Sequence, residues 1–453
     1  MIRKRLLVVT TAAIAWCVAL GGQTSTPLTS DALFDITKVW TVNLSLTPQA
    51  WDTLAPTPTS PAGIRTAEGF IGPEGKRNGI SAIRGIDFQY AHAGFDLDGH
   101  KFADVGVRYK GNGTYTSGSA LGKASLKIDL NKYVKGQKLA GLTTLNLHNN
   151  ITDPSWMNEV LAYRLYRDGK AVAPRTSYAR VYVTVQGRPR RYLGLYSIVE
   201  NVDETFLDSR YHVAGGALVK PVTTRLFNDL GRDWSKYNQS YDPKTTLTDA
   251  DKQRIFEMAD LVTHASDETF AAKLPQLVDL DAFARYAAVL VWLANPDSLL
   301  QQGQNFYIYI HPRTHLMSFI PWDQDHSFGQ FMWSSDRQQQ ELDIMQPGGS
   351  SRFLARVFQV EAFRQKYRAA MAELARTLTV PQRLAAQVDE MARAIGPVVA
   401  EEPLAGRADL FKKAVAGTSF ERPFYGGIAS PLKPFVQVRQ ASVLRQLRAL
   451  GIQ

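Results

Sequence analysis

The spacing of apolar and polar residues changes about halfway along the chain. Four short runs in the first half have the composition and alternation of β-strands: 40–46, 125–130, 178–185 and 192–199. From Asp279 onward the apolar residues recur at helical spacing instead, beginning with a stripe that ends at Asn295-Pro296. The pattern predicts an α+β protein in which a β-rich half precedes an α-rich half.

The breaks between these runs set the predicted domain boundaries. One helix is expected among the strands, from Asp153-Pro154 to Gly169, because Asp is a good N-cap and Pro suits the first turn. Later helices are expected at about 352–377, 381–395 and 436–450. The chain is more polar and irregular between them. The predicted order is a β-rich lobe over 23–220, a connection or insertion over 221–278 and an α-rich lobe over 279–453.

The first 22 residues have the pattern of a secretory signal. Three cations at 3–5 precede an apolar stretch over 6–20, and small and polar residues follow. About 15 apolar residues fall short of the ~20 that span a bilayer. A lipid anchor on Cys17 is disfavoured because the bulky Trp16 precedes it. We therefore expect a cleaved signal peptide over 1–22, no membrane span afterwards, and export to the periplasm, the cell surface or the medium.

The amino-acid composition limits the kinds of site and partner that we expect. With 45% hydrophobic residues in 453, the chain is expected to fold around a large core. Cys17 is the single cysteine, so signal cleavage would leave no disulfide, thiolate zinc site or cysteine nucleophile. The net charge of +10 is spread widely, and the densest basic cluster, RPRR at 188–191, lies between two predicted strands. A solvated turn is favoured there over a nucleic-acid patch, and no nucleic-acid partner is expected.

A predicted hairpin brings an amide and two carboxylates together. If its turn is centred between Pro312 and Arg313, Asn305 faces Ile320, a few residues before Asp323 and Asp325. Oxygen ligands of this kind suit Mg²⁺, with Mn²⁺ as an alternative. The residues leave open which of the two aspartates is the ligand.

Asp297 lies on the loop before this hairpin and has no metal to hold in this interpretation. It is therefore expected to orient or deprotonate an acceptor hydroxyl. Paired carboxylates also serve glycosidases, but here they stand beside an Asn, and nothing else in the sequence indicates a barrel of that class. The eight histidines form no metal-spaced pair.

Several ordered motifs resemble the spore-coat protein H (CotH) kinase family. The most specific are NxD at 295–297, NFYIY at 305–309, IPWDQD at 320–325 and FG at 328–329. Upstream blocks follow in the family's order: VRYKGNG at 107–113, KASLKI at 123–128, GLYSIVENVD at 194–203 and GGALVK at 215–220. With FVQVR at 435–439, the resemblance extends from about Leu33 to the end.

The resemblance implies an atypical protein kinase with a two-lobed, protein-kinase-like fold that binds ATP and Mg²⁺. Lys127 would reach the α- and β-phosphates and act in catalysis, and Glu159 would pair with it. Gly111, Asn112 and Gly113 would form the hairpin that approaches the phosphates, and Glu200 would lie near the adenine or the hinge between the lobes. Asp297 would be the catalytic base, and Asn305 with Asp323 or Asp325 would hold the metal. Ordinary kinases have His-Arg-Asp where this chain has Asn295-Pro296-Asp297.

The expected reaction is transfer of the γ-phosphoryl group to Ser, Thr or Tyr hydroxyls of an exported protein substrate, or of the protein itself. Two alternatives stay open. The same nucleotide site would also suit AMP transfer or amino-acid ligation, and a non-catalytic surface or adhesion module would keep only the fold. The scarcity of ATP outside the cytoplasm makes the source of nucleotide an open point.

Overall fold

The protein, described by a computed structural model, is a mixed α+β chain whose described residues are 28–56, 62–349, 351–423 and 426–452. The expected signal peptide lies outside them. The strands are β1 Val39–Leu46, β2 Ile64–Thr66, β3 Gly69–Ile71, β4 Ala91–Leu97, β5 His100–Lys110, β6 Ser125–Asp129, β7 Thr144–His148, β8 Thr176–Val185, β9 Arg191–Glu200, β10 Ala217–Val219, β11 Phe306–Ile310, β12 Met317–Pro321, β13 Phe420–Glu421 and β14 Ile428–Ala429.

The helices are concentrated after the strands. They are α1 Ser30–Leu33, α2 Pro48–Leu54, α3 Ile80–Ile83, α4 Thr114–Ala120, α5 Asn158–Asp168, α6 Glu204–Tyr211, α7 Ser235–Tyr241, α8 Asp249–His264, α9 Asp267–Lys273, α10 Leu280–Leu293, α11 Asp336–Gln340, α12 Arg352–Val357, α13 Glu361–Glu373, α14 Pro381–Val399, α15 Arg407–Ala416 and α16 Leu432–Ala449. Within the described residues, no helix is long and apolar enough to cross a membrane.

Seven strands of the first half close into a barrel in the order β1-β4-β5-β6-β7-β9-β8. All neighbours are antiparallel except β1 and β8, whose parallel pairing closes the ring. Alternate residues of β1, including Val42, Leu44 and Leu46, are buried, as period-2 alternation requires when one face of a strand meets a core. The alternation in the sequence therefore marks the inside of the barrel.

A second, smaller sheet in the order β10-β11-β12 packs among the helices of the second half. Its central helix is α10, which is apolar on nearly all sides and almost fully buried. Asp279 caps this helix by accepting the amide of Ala282, and Ala294 ends it in a left-handed conformation. The boundary expected at 220 falls just after β10, a strand that pairs with β11 of this sheet.

Two local expectations differ from the structure. The helix expected from Asp153 begins at Asn158. The Asp153 carboxylate instead accepts the amides of Ser155 and Asn158, which makes a turn ahead of the helix. The stretch 221–278, expected to be irregular, contains α7, α8 and α9, of which α8 starts with a capping box between Thr248 and Asp251.

The hairpin of β11 and β12 has a register two residues away from the expected one. Tyr307 pairs with Ile320 and Phe306 with Pro321, so the turn is centred between Arg313 and Thr314. Continuing the ladder, the amide of Trp322 donates to the carbonyl of Asn305 at 2.9 Å. The shift moves Asn305 opposite Trp322, one residue before Asp323.

A buried ion pair connects the barrel to the helical half. Lys123, just before β6, contacts Glu402 at 2.5 Å, and the two side chains are 1% and 0% exposed. The other carboxylate oxygen of Glu402 accepts the amide of Leu195 in β9. Lys123 also lies over the rings of Trp156 and Tyr196. Both charges are thus paired inside the protein.

Candidate active site

A cavity of about 740 Å³ opens between the barrel and the small sheet. Seven cationic side chains line it, against four carboxylates. The cations are Lys76, Arg77, Arg108, Lys110, Lys127, Lys220 and Lys244, and the carboxylates are Asp87, Asp129, Asp203 and Asp323. An excess of positive charge in an enclosed space suits a polyanionic ligand.

A smaller cavity of about 310 Å³ adjoins the larger one. The two have Asn112, Asn305 and Asp323 in common, whereas Asp297 and Asp325 line only the smaller cavity. The hairpin end therefore stands where the two spaces meet. A group in one cavity and a group in the other would approach each other at Asn305 and Asp323.

Asp297 and Asn305 are joined by direct hydrogen bonds. The Asn305 amide nitrogen donates to the Asp297 carbonyl at 2.8 Å and to its carboxylate at 3.0 Å. Gln304 donates to the other carboxylate oxygen of Asp297 at 2.7 Å. Because the amide nitrogen of Asn305 is engaged, its side-chain carbonyl oxygen is the atom left to bind a cation.

Two residues of the site have an uncommon backbone conformation. Asn305 and Asp323 both have positive φ values, 61° and 52°. Short polar residues tolerate this conformation better than others, but it is uncommon and is often found at functional sites. Asp297 and Ser298 interrupt the π-helical turn Pro296–Leu300 with non-helical angles. Three chain segments are thus held in unusual conformations around one place.

The structure distinguishes the two aspartates that the sequence left equivalent. Asp323 lines both cavities, and its amide donates to the hydroxyl of Tyr163. The Asp325 carboxylate instead accepts the hydroxyl of Thr152 at 2.5 Å and lies 3.9 Å from His326. Asp323 therefore faces the larger cavity and is the better placed of the two to bind a ligand there.

Burial alters the pKa values of the groups around Asp297. Burial raises the pKa of Asp297 to about 6, although nearby His326 opposes the shift. Burial alone would lower the pKa of His326, but Asp325, Asp297 and Asp323 together raise it. At neutral pH this arrangement gives an ionised Asp297 with a pKa close to that of an effective general base.

Lys127 lines the larger cavity, and Glu159 is not its partner. Lys127 stands on β6, opposite Arg108 of β5 and Asn146 of β7. Burial lowers the pKa of Lys127 to about 8, and the charges of Arg108 and Lys244 add to the effect. A cation in such surroundings is stabilised by an anionic ligand.

Glu159 pairs with His148 and lies close to Lys110. The His148 Nδ1 atom is 2.8 Å and 3.1 Å from the two carboxylate oxygens of Glu159, and Nε2 is 2.5 Å from Lys110 Nζ. Glu159 is 1% exposed and His148 is 7% exposed. The lysine expected to pair with Glu159 is therefore replaced by a chain through His148 that ends at a different lysine.

Lys110 and Lys220 flank one aromatic wall. Both ammonium groups lie over the ring of Trp322, at 4.9 Å and 5.4 Å from its centre, and Lys220 also lies over Tyr307. Burial lowers the pKa of both lysines, whereas Asp323 opposes the shift. Two cations and one aspartate thus face the same part of the cavity.

Residues 111–113, expected to form a tight hairpin, follow β5 directly and lead into α4. Gly111 has a φ of 120°, which favours glycine, and Asn112 lines both cavities. The side chain of Asn112 accepts the amide of Ser81, whose hydroxyl donates to the Gly111 and Asn112 carbonyls. Gly113 lines the smaller cavity. The hairpin is anchored by α3 and borders both spaces.

Glu200 differs from its expected position beside a ligand. Its carboxylate accepts hydrogen bonds from Arg175 at 2.5 Å and from Arg210 at 2.8 Å, and the side chain is 1% exposed. The larger cavity is lined by the next residues, Asn201, Val202 and Asp203, and not by Glu200. Since β9 is buried at this end, Glu200 stabilises the strand end through arginines.

Possible metal ligands lie at two places in the site. Ligand atoms of His148, Glu159 and Asp323 lie within 4.8 Å of one another. The Lys110 ammonium already contacts His148 there, so this group is neutralised within the protein. Asn305 and Asp323 offer oxygen atoms at the junction of the cavities, a donor set that suits Mg²⁺ held partly by a ligand's phosphates.

Three residues of the site were given no role from the sequence: Lys110, His148 and Lys220. Lys110 directly precedes the glycine hairpin, and Lys220 ends the GGALVK block, so their positions were inside recognised motifs. His148 ends a buried strand, and nothing in its local pattern connects it to Glu159. Its role becomes visible only when β7 and α5 are packed together.

Comparison with known proteins identifies a family and a relative. The sequence model of a family described as CotH kinase protein matches residues 107–420. The inner spore coat protein H of Bacillus subtilis (strain 168) is 24% identical over 267 residues, which cover 58% of this chain and 70% of that protein.

A structural match is much weaker. It is to the toxin–antitoxin complex of HipA and HipB with operator DNA from Shewanella oneidensis MR-1, with 16% identity and a TM-score of 0.31. The match covers 72% of this chain and 64% of the other, less than two thirds of its length.

Proposed function

This chain belongs to the CotH kinase protein family, and from that premise we propose that it binds ATP with Mg²⁺ and transfers the γ-phosphoryl group to a protein hydroxyl. One observation carries the proposal. A cavity lined by seven lysine and arginine side chains meets a second cavity at Asn305 and Asp323, and the second cavity contains the carboxylate of Asp297. Phosphoryl transfer needs these three parts: a phosphate site, a cation site and a group that receives the hydroxyl proton.

In this proposal the nucleotide occupies the larger cavity and the acceptor enters the smaller one. The acceptor oxygen bonds to the γ-phosphorus while the bond from that phosphorus to the β–γ bridging oxygen breaks, and ADP leaves. The hydroxyl proton passes to the carboxylate of Asp297, which Gln304 and Asn305 hold in place. The cationic lining, including Lys127, binds the phosphates.

Asn305 and Asp323 would hold Mg²⁺, or Mn²⁺ with a similar oxygen preference. The bound metal would neutralise phosphate charge during transfer. Asp325 is a weaker candidate for a ligand because Thr152 already donates to its carboxylate.

The barrel and the helical half would then act as the two lobes of a kinase-like arrangement, with nucleotide between them. We also propose that the protein works outside the cytoplasm, as the charged and apolar pattern of residues 1–22 favours. The name of the Bacillus subtilis relative describes a component of the inner spore coat. We therefore propose that the acceptor of the phosphoryl group is an exported protein or the chain itself.

The test uses the full chain with γ-labelled ATP and MgCl₂. We expect label on protein hydroxyls, and an increase of the melting temperature with ATP and Mg²⁺ that is lost in Asp323→Asn. Lys138→Met is the control, because Lys138 is an exposed lysine of the barrel half that lines neither cavity.

Absence of both nucleotide binding and label would contradict the proposal. Binding without label, with a different mass added to the protein, would assign the site to AMP transfer or amino-acid ligation instead. Binding with no modification of any protein would favour the non-catalytic module. Mass spectrometry of the products separates these outcomes.

A further inference from the structure

We propose that Lys110 is the lysine that contacts the nucleotide phosphates during transfer, and that Glu159 positions it through the imidazole of His148. This inference rests on the proposed function, because it assigns a residue to the phosphate site of the same reaction. It replaces the direct pair between Lys127 and Glu159 that the sequence suggested. His148 is a positioning residue, since it touches the lysine and not the nucleotide.

The available donors and acceptors fix the direction of the hydrogen bonds from Lys110 through His148 to Glu159. A lysine ammonium group only donates, so His148 Nε2 accepts from Lys110. The ring proton of a neutral histidine must then be on Nδ1, from which it donates to Glu159 at 2.8 Å. Burial, with the nearby charge of Lys110, lowers the pKa of His148 to about 3, which agrees with a neutral ring. Burial raises the pKa of Glu159 to about 8, and the charge of Lys110 opposes this shift. The order is therefore a lysine that donates, a neutral ring and a carboxyl group that accepts.

The spacer leaves the lysine available to a ligand. An ammonium group has three N–H donors, and one of them is hydrogen-bonded to His148. Lys110 lines the larger cavity and lies 4.9 Å from the centre of the Trp322 ring. In a direct ion pair, Lys110 would be drawn towards the fully buried Glu159. With the imidazole between them, Glu159 acts on Lys110 while the ammonium group stays at the cavity wall.

The surroundings of the two candidate lysines separate their roles. The charges acting on Lys110 include Asp323, the proposed metal ligand, and Glu159. Those acting on Lys127 are Arg108, Lys244, Asp129 and Asp203. Lys110 therefore stands near the metal side of the cavity, and Lys127 stands nearer the segment 201–203. We assign the phosphate next to the transferred group to Lys110.

Within the series Lys110–His148–Glu159, His148 is the residue whose replacement should disturb the hydrogen bonds most. An apolar replacement would leave Glu159 buried beside Lys110 with a gap between them, and the lysine would be free to turn towards the carboxylate. A glutamine has both an acceptor and a donor, as the neutral imidazole has. It would therefore restore part of the connection without a ring.

The experiment compares nucleotide binding and labelled transfer in the full chain for Lys110→Met, Lys127→Met, His148→Ala, His148→Gln, Glu159→Gln and the double variant His148→Ala/Glu159→Gln, with Lys138→Met as control. We expect Lys110→Met to lower kcat/KM at least 100-fold, and Lys127→Met to raise KM for ATP with a smaller effect on kcat. His148→Ala and Glu159→Gln should each cost about tenfold or more, and the double variant no more than the worse single one, because both break one chain. His148→Gln should recover part of the loss.

Two results would overturn the inference while the proposed function survives. One is an active wild type in which Lys127→Met abolishes transfer and Lys110→Met does not. The other is multiplication of the His148→Ala and Glu159→Gln effects. A wild type that neither binds nucleotide nor transfers label would overturn the proposed function and this inference with it.

A measurement on the wild type protects the test against misfolded variants. ¹⁵N NMR of the imidazoles should show a buried histidine, assigned through the loss of its signal in His148→Gln, as the neutral Nδ1-protonated form at pH 7. A charged ring or the Nε2-protonated form would contradict the chain, whatever the variants do.

Discussion

Two lysines of the barrel half, Lys123 and Lys110, meet a buried glutamate in different ways. Lys123 contacts Glu402 directly, and both side chains are almost fully enclosed. Lys110 reaches Glu159 only through His148 and borders a large cavity. The first pair is complete in itself and connects the two halves of the protein. The second is incomplete, and the part it lacks is the part that an anionic ligand would supply.

The difference teaches how the same two residue types serve stability in one place and binding in another. A closed ion pair cannot gain from a ligand, because its charges are already neutralised. Lys110, which is separated from Glu159 by an imidazole, keeps N–H donors directed at the cavity. Five predictions test this difference and the role proposed for Asp297.

The largest effect is expected from removing one partner of the closed pair. Glu402→Ala leaves the Lys123 charge unpaired inside the protein and also removes the acceptor for the Leu195 amide. Breaking a buried pair in this way costs about 3–5 kcal/mol. Chemical denaturation of the variant should show this loss.

The double variant Lys123→Met/Glu402→Leu is the matched control. It leaves no unpaired charge, so its loss should be smaller than that of Glu402→Ala. A single variant as stable as the wild type would show that the two halves do not depend on this pair.

The cavity should add stability only when it is filled. At 100 times the dissociation constant, ATP with Mg²⁺ should stabilise the wild type by about 2.7 kcal/mol. Asp323→Asn should lose most of this increment, and the double variant at Lys123 and Glu402 should keep it, because that pair lies outside the cavity. Calorimetric melting with and without nucleotide measures both. If ATP with Mg²⁺ stabilised Asp323→Asn as much as the wild type, Asp323 would not be a ligand of the cation.

Asp297 should show a cost in stability that accompanies its proposed role. Its folded pKa of about 6 is above the unfolded value of 3.8, so ionisation destabilises the fold as pH rises from about 4 to 6. The stability of the wild type relative to Asp297→Asn should therefore fall by about 1 kcal/mol between pH 4 and pH 7, since the partly exposed side chain reduces the full effect of two pKa units. Denaturation at pH 4 and pH 7 tests the sign.

Transfer by the wild type should fall about tenfold per pH unit below pH 6, because a protonated Asp297 accepts no proton. A flat rate between pH 5 and pH 7 would exclude Asp297 as the base, whatever its effect on stability.

The smallest effect is expected at Lys110. Enclosure already lowers its pKa, so the charge is a cost to the folded state without ligand. Lys110→Met should change the free energy of unfolding by less than about 1 kcal/mol in the absence of nucleotide. A loss comparable to that of Glu402→Ala would mean that both lysines serve the fold.

The sequence predicted the elements of the fold better than their ends and pairings. Alternation located β1, β6, β8 and β9, and the helical stripe located α10, because each element buries one face or all faces. The order of strands in the barrel was beyond reach, since pairing joins residues far apart along the chain. Helix starts were missed where a side chain bonds the backbone in another way, as Asp153 does.

The candidate site was predicted in part. Asp297, Asn305 and Asp323 do come together, and the correct hairpin register brings Asn305 nearer to Asp323 than expected. Glu200 directly precedes the cavity-lining segment 201–203, but its own contacts are with Arg175 and Arg210, partners that no local pattern indicates. The partner of Glu159 was missed for a similar reason. A contact between a strand end and a helix start depends on packing, which no local spacing records.

The parallel seam between β1 and β8 has a consequence for how the molecule forms. Until β8 has been made and positioned, β1 has one bare edge, and the open sheet offers unpaired amides and carbonyls to any other strand. Contacts between such distant segments form slowly. Refolding experiments should therefore show a slow, concentration-sensitive phase, and fragments ending before Thr176 should associate with one another rather than stay monomeric.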